Sequence, residues 1–327
     1  LGCFIGKRDL MTDQFKAVKY EWVSCPYCGE NEFSIHIELK DWLYRNAGNF
    51  TFVRCSDCGL IRLNPRPIQN SIIHFYPDQY EPYANSKTES GALAKLGIQY
   101  GLRKRVRLIE RYKKRGKLLE VGCGNAALLD ILNRTGRWDV SGVEPNCESI
   151  KSAKEYLGLD IKHSTFEDVA LDSCKYDVVI MWYVLEHLYD PVAAIQKVLR
   201  ILKPGGFFIA LVPQFESLGR IFWRRYWSGY DAPRHLYVFP YAVLSQMLTS
   251  SGLTLLDKRC WGGYQMFCLS LCAWLKSHFS SDKGLFHRIL KKLNLLMRVV
   301  TMPWFFVEDR VFHWGSGLVL IAQKQIW

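Results

Sequence analysis

No stretch of this sequence reaches the ~18 uninterrupted apolar residues that a membrane-crossing helix needs. No charged-then-apolar leader is visible either. Internal repeats are lacking, which excludes solenoid and propeller architectures, and so are low-complexity tracts. Acid is scarce relative to base: 31 Asp and Glu face 43 Lys and Arg, a formal charge of +12. Such a balance suits contact with nucleic acid, an acidic lipid surface or a phosphorylated substrate, and it also serves plain solubility.

What is present supports a folded protein. At 327 residues, 49% hydrophobic and 14% aromatic, the chain can fill one large domain and a smaller module. Disorder is not expected. Of eleven cysteines, four form a metal-type pattern and seven are scattered, which fits a reduced, cytoplasmic compartment. Leu1–Leu10 reads as a leader or as sequence ahead of a start at Met11, and residues 1–19 are expected to be poorly ordered.

Three regions separate by pattern. Residues 20–66 hold two Cys-x-x-Cys pairs around short alternating segments such as Phe33-Ser34-Ile35-His36-Ile37. Residues 67–115 are polar and then basic, a linker followed by a helix. From Gly116 onward strand and helix patterns alternate, which argues an α/β sheet over 116–327. Strands are expected at Lys117–Val121, Asp139–Val143, Asp160–His163, Tyr176–Trp182, Phe207–Val212, Leu253–Arg259 and Gly317–Gln323. Helices are expected at Ala126–Arg134, Cys147–Leu157 and Pro191–Leu202, and Lys203-Pro204-Gly205-Gly206 reads as a turn.

The segment Glu120-Val121-Gly122-Cys123-Gly124-Asn125-Ala126 ends the first of these strands. Glycines there permit a tight turn, positive φ and close approach of backbone to a ligand, and the helix that follows offers oriented N–H donors. A purely structural turn would look similar. Two further features narrow the reading. Glu144 stands 24 residues beyond Glu120, beside Pro145 at the end of the second strand, where an acid can accept from both ribose hydroxyls. Glu167-Asp168 follows the third strand, beside the place for an adenine amino group. A dinucleotide site is the rival, but Ala127 occupies its last glycine position.

With Leu119-Glu120-Val121-Gly122-Cys123-Gly124, Val143-Glu144-Pro145, Tyr176-Asp177-Val178-Val179 and Leu202-Lys203-Pro204-Gly205-Gly206, residues 116–212 resemble the core of the class I S-adenosylmethionine (SAM)-dependent methyltransferases. The resemblance implies a Rossmann-like, seven-stranded, mostly parallel sheet with flanking helices. It also assigns SAM contacts to Glu120, Gly122, Cys123, Gly124, Asn125, Ala126, Glu144, Pro145, Glu167, Asp168, Met181 and Trp182. Ala126 replaces the family's third glycine.

Cys25-Pro26-Tyr27-Cys28-Gly29 and Cys55-Ser56-Asp57-Cys58-Gly59 can bring four thiolates to one soft cation. Four cysteines leave no open position, so the expected Zn2+ is structural and the module folds largely through it. Redox pairs or plain core cysteines are the alternative. The ribbon and the methyltransferase core together look like a bacterial family acting on nucleotide-linked sugars, cell-surface glycans and natural products, the sugar C-methyltransferases among them. The similarity continues through Asn64-Pro65 to Tyr76 and Tyr80, which form a substrate lid or pack the linker.

Acceptor chemistry belongs beyond the fourth and fifth strands. Tyr230-Asp231-Ala232-Pro233-Arg234-His235 is similar to the acid-plus-histidine segment that carries the base in the sugar C-methyltransferases, with Arg234 in place of the acid. This makes His235 the expected base, Asp231 its orienting partner and Arg234 a ligand for an anionic substrate group. His187, within Tyr183–His187, is a second polar contact or a support for the cofactor loop.

Nine basic residues lie in Arg103–Lys117, a solvated helix face or an anion-binding one. Residues 262–313 are expected to be a helical insertion. Their stripe of Leu285, Phe286, Ile289, Leu290, Leu293 and Leu296 suits a substrate cap or a peripheral membrane contact. The expected protein is thus a methyltransferase acting on a small or carrier-linked sugar or glycan precursor. RNA methylation, with nucleic acid as partner, and non-catalytic SAM binding are the alternatives.

Overall fold

The computed structural model describes residues 18–76, 92–262, 264–278 and 315–326. Residues 1–17 of the proposed leader, Tyr80, the 285–296 stripe and most of the 262–313 insertion lie outside the described residues.

The N-terminal region contributes β1 (Tyr20–Glu21), β2 (Phe33–Leu39), β3 (Phe50–Cys55), β4 (Ile61–Leu63) and β5 (Arg66–Pro67). A long helix, α1 (Ala92–Tyr112), leads into the alternating part: β6 (Gly116–Val121), α2 (Ala127–Asn133), β7 (Trp138–Glu144), α3 (Cys147–Leu157) and β8 (Asp160–His163). It continues through β9 (Tyr176–Trp182), α4 (Pro191–Ile201), β10 (Leu202–Pro213), α5 (Leu218–Trp223), β11 (Tyr237–Val238) and α6 (Tyr241–Ser250). β12 (Leu253–Trp261), α7 (Tyr264–His278) and β13 (Gly317–Lys324) complete the order.

Seven strands form one sheet in the order β12-β13-β10-β9-β6-β7-β8. Only β13 runs antiparallel to its neighbours β10 and β12, so the expected mostly parallel α/β sheet is present. β9 explains why such a strand reads as an unbroken apolar run. Val179 and Met181 enter the core on one face, and Val178 and Ile180 enter the core on the other. The first helix turn of α4 is set by Pro191 at its start and by Asp190, whose carboxylate accepts from the Ala193 N–H at 2.9 Å.

One expectation shifts and two details are added. Lys203-Pro204-Gly205-Gly206 is not a separate turn but lies inside β10, where the pairing with β9 slips between Leu202 and Phe207 and Gly205 adopts φ +74°. The basic helix lies against the sheet, with Leu108 and Ile109 buried. Part of its charge stacks on indoles: Lys104 Nζ is 4.1 Å from the Trp261 ring and the Arg105 guanidinium 5.4 Å from that of Trp182. Finally, the ribbon sheet has four strands, β11-β4-β3-β2, and its edge strand β11 comes from residues 237–238. No helix among the described residues is long and apolar enough to cross a membrane.

Candidate active site

The turn between β6 and α2 is built as its glycines require. Gly122 and Gly124 adopt φ +68° and +52°, and Ala126 follows at +57°. A Cβ on Gly122 would stand 2.6 Å from Val184, whereas nothing lies within 4 Å of the Cβ position at Gly124. The turn is therefore packed on one side and open on the other.

Glu144, at the end of β7, closes the turn from the next strand. One of its carboxylate oxygens accepts from the Gly124 N–H at 2.9 Å and the other from the Asn146 N–H at 2.8 Å. Asn125 folds back to accept from the Ala127 N–H. Glu120 is buried with its Oε2 lacking a partner among the described residues. Burial pushes that carboxyl up to about 8, against the opposing pull of Arg105. An orphaned acid beside an open glycine cradle fits a bound polar group, as the methionine end of SAM would supply. Cys123 has a packing role: its Sγ sits 2.6 Å from where a Gly142 side chain would begin.

The remaining predicted cofactor residues ring the same sheet edge. Pro145 accepts a hydrogen bond from His163 through its carbonyl. Glu167 accepts from the Tyr189 N–H, while exposed Asp168 accepts from the Thr165 hydroxyl at 2.7 Å. Met181 and Trp182 are buried at the end of β9, Trp182 beneath Arg105.

The acceptor-side residues converge from separate segments. His187 and His235 meet edge to face, ring centroids 4.6 Å apart. The His235 Nδ1–H donates to the Gly229 carbonyl at 2.8 Å, and the His187 Nδ1–H donates to the Arg234 carbonyl at 3.0 Å. Since a carbonyl can only accept, Nε2 carries the lone pair on both rings. The Tyr76 hydroxyl lies 3.2 Å from His187 Nδ1 and so brings the linker to this site. Burial and the neighbouring His235 push His187 down to about 3, and burial also lowers His235.

Two expectations need correction. The Nδ1 of His235 is oriented by the Gly229 carbonyl rather than by Asp231, and the Asp231 carboxylate pairs with Arg234 at 2.7 and 3.0 Å while acting on the His235 ring through its charge. Arg234 does not face a substrate. It is 1% exposed, and its guanidinium also donates twice at 2.9 Å to Asp41, which is 3% exposed, and at 3.0 Å to the Phe75 carbonyl. A planar fork between two carboxylates satisfies the charge it buries. Arg234 thus clamps Asp41 of the N-terminal region to the loop that carries His235.

The four predicted metal cysteines come together. Cys25 and Cys58 sulfurs are 3.5 Å apart, as are those of Cys28 and Cys55, and one ligand atom of each lies within 4.8 Å of the others. Sulfurs at ~2.3 Å from a tetrahedral zinc would be separated by ~3.8 Å. Gly29 and Gly59 adopt φ +79° and +76°, and each N–H bonds to the carbonyl of its pair's first cysteine. The two knuckles are built alike, and the donor set fits Zn2+.

Residues that sequence reading passed over also belong here. Asp41 is the ribbon's half of the clamp. Glu186 is 0% exposed beside the histidines, and neither of its oxygens has a hydrogen-bond partner among the described residues. His36 of β2 reaches the Tyr230 hydroxyl at 2.9 Å. Only Glu186 left a signal, its adjacency to His187 at a strand end.

A glycine turn at the first strand, with acids after the following strands of such a sheet, defines an α/β protein for a nucleoside-bearing ligand. Residues 96–258 match the methyltransferase domain family. The chain carries a methyltransferase domain of the class I SAM-dependent type. Ubiquinone biosynthesis O-methyltransferase of Cereibacter sphaeroides is 34% identical over 98 residues, 28% of this chain and 39% of that protein. The protein of the same name from Actinobacillus pleuropneumoniae is 33% identical over 100 residues, again 28% of this chain and 42% of that protein. The matches thus span well under half of these curated relatives. Among solved structures, a candidate sarcosine dimethylglycine methyltransferase from Galdieria sulphuraria aligns with a TM-score of 0.49 at 15% identity, over 71% of this chain and 87% of that one.

Proposed function

We propose that the protein transfers a methyl group from SAM to a small or carrier-linked acceptor, a sugar or glycan precursor, seated against His187 and His235. Glu120, the Gly122–Ala126 turn and Glu144 hold the cofactor, with Glu167 or Asp168 at its adenine. SAM supplies an electrophilic methyl on a sulfonium centre. The protein's own work is to orient the acceptor in line with that methyl and to take up a proton.

One observation carries this reading: two imidazoles, each fixed through Nδ1 to a carbonyl so that Nε2 keeps its lone pair, meet edge to face just beyond the end of β9. His235 is the proton acceptor, and His187 holds the acceptor's polar group. The O-methyltransferase relatives, matched over a third or less of this chain, make a hydroxyl oxygen the first acceptor atom to test. The cysteines hold a structural Zn2+ that braces the ribbon. We place the protein in the cytoplasm, where thiolates stay reduced, with residues 262–313 as a cap over the acceptor or a contact with the membrane surface.

The test is labelled-methyl transfer from SAM into cell fractions separated into RNA, lipid and soluble sugar pools. Label is expected in a sugar-bearing soluble or lipid-linked fraction, and label confined to RNA would overturn the acceptor assignment. A His235→Ala variant should bind SAM normally but lose turnover; full turnover would remove His235 from the mechanism.

A further inference from the structure

Glu186 is the most conspicuous group that the reaction outlined above leaves unused. It is fully buried, and both of its oxygens lack hydrogen-bond partners among the described residues. A buried carboxylate without hydrogen bonds is strongly disfavoured unless it is protonated or neutralised. Its neighbours are the two rings of the acceptor site. One ligand atom each from Glu186, His187 and His235 lies within 4.8 Å of the other two, and the described residues contain only one other such group, the ribbon cysteines.

We propose that Glu186, His187 and His235 form a second metal site, for a divalent transition-metal cation, distinct from the cysteine site. The donor chemistry selects the ion class: two neutral imidazoles and one carboxylate suit Zn2+, Fe2+ or Mn2+. Both rings already have the arrangement that metal-binding histidines use, Nδ1–H donated to a carbonyl and Nε2 left as donor to the ion. Ligand atoms bound at ~2.1 Å to one ion stand ~3.0–3.4 Å apart, so a small inward rotation closes the site.

Three protein ligands leave positions open on the ion, and an acceptor hydroxyl can occupy one of them. Coordination would lower that hydroxyl's pKa, so that its proton would pass to solvent water rather than to His235 as the oxygen takes the methyl group.

This inference rests on the acceptor placement proposed above, but not on His235 acting as a base. The experiment uses the full chain with zinc in the ribbon, titrated with Co2+ and desalted before metal analysis. A second metal equivalent is expected per chain, with a weak cobalt d–d spectrum free of the thiolate-to-cobalt bands that the cysteine site would give. Glu186→Gln and His187→Ala should lose that second equivalent while keeping the ribbon zinc and the wild-type affinity for SAM. A wild-type chain that retains only the ribbon metal overturns the site, as do variants that still hold two. Loss of turnover in His235→Ala with no second metal in the wild type would leave the base assignment standing and remove the metal.

Discussion

The glycine turn and the histidine cluster proposed to receive the acceptor lie at the same edge of the sheet but are assembled in opposite ways. The turn is nearly local: Gly122, Gly124, Asn125 and Ala126 are consecutive or adjacent, and Glu144 arrives from the neighbouring parallel strand. The histidine cluster joins the segment after β9, the loop before β11, Tyr76 of the linker and, through Asp41, the N-terminal sheet. Its geometry depends on contacts between residues up to 194 positions apart. A local site is held by backbone conformation, whereas a dispersed one must be held by side-chain clamps.

That contrast can be broken or sharpened by substitution. The largest effect is expected for Arg234→Ala, which strands two buried carboxylates and should cost ~3–5 kcal/mol in denaturant unfolding. A loss below about 1 kcal/mol, the range of an exposed pair, would show that the clamp is not what holds the site. Next comes Gly122→Ala. Its Cβ would meet Val184 at 2.6 Å in a left-handed backbone, a strain of ~1–3 kcal/mol. Calorimetric titration with SAM should register that strain as weakened binding, and unchanged affinity would contradict the rigid-turn view.

Glu144→Gln is smaller. The amide oxygen can still serve one of the two N–H groups, so the expected cost is ~1–2 kcal/mol, about tenfold in SAM affinity. If the loss matches that of Gly122→Ala, the acid contributes more than turn closure. Asp168→Asn closes the series: the side chain is exposed and bonded within its own loop, so stability should change by less than ~0.5 kcal/mol. A large drop in SAM binding there would assign Asp168, rather than Glu167, to the adenine.

What could be read in the sequence follows the same division. The α3 and β8 boundaries, Cys147–Leu157 and Asp160–His163, match their periodicity, because burial on one face or two writes itself into neighbouring residues. The glycine turn and the paired cysteines were legible for the same reason. Arg234 was not. An arginine next to a histidine in a loop carries no mark of the carboxylate that meets it, and only the fold brings Asp41 to it. Asp231 was read as the histidine's partner from the resemblance of its segment to an acid-plus-histidine motif, yet at φ +23° its backbone lies in a bend from which its carboxylate pairs with Arg234. Glu186 was hidden by the commonness of its motif.

The two-residue strand β11 has a consequence for how such proteins can be recombined. It begins two positions after His235, and its recorded pairing is with β4 of the ribbon: Tyr237 with Arg62, Val238 with Ile61. Between them, the Leu236 N–H bonds to the Glu186 carbonyl, and the Leu236 carbonyl accepts from the Leu63 N–H. The N-terminal module is therefore no detachable cartridge. A chimera that imports a foreign ribbon would have to import the matching 229–239 loop with it, and shuffling between relatives should succeed only when those two distant segments are inherited as one unit.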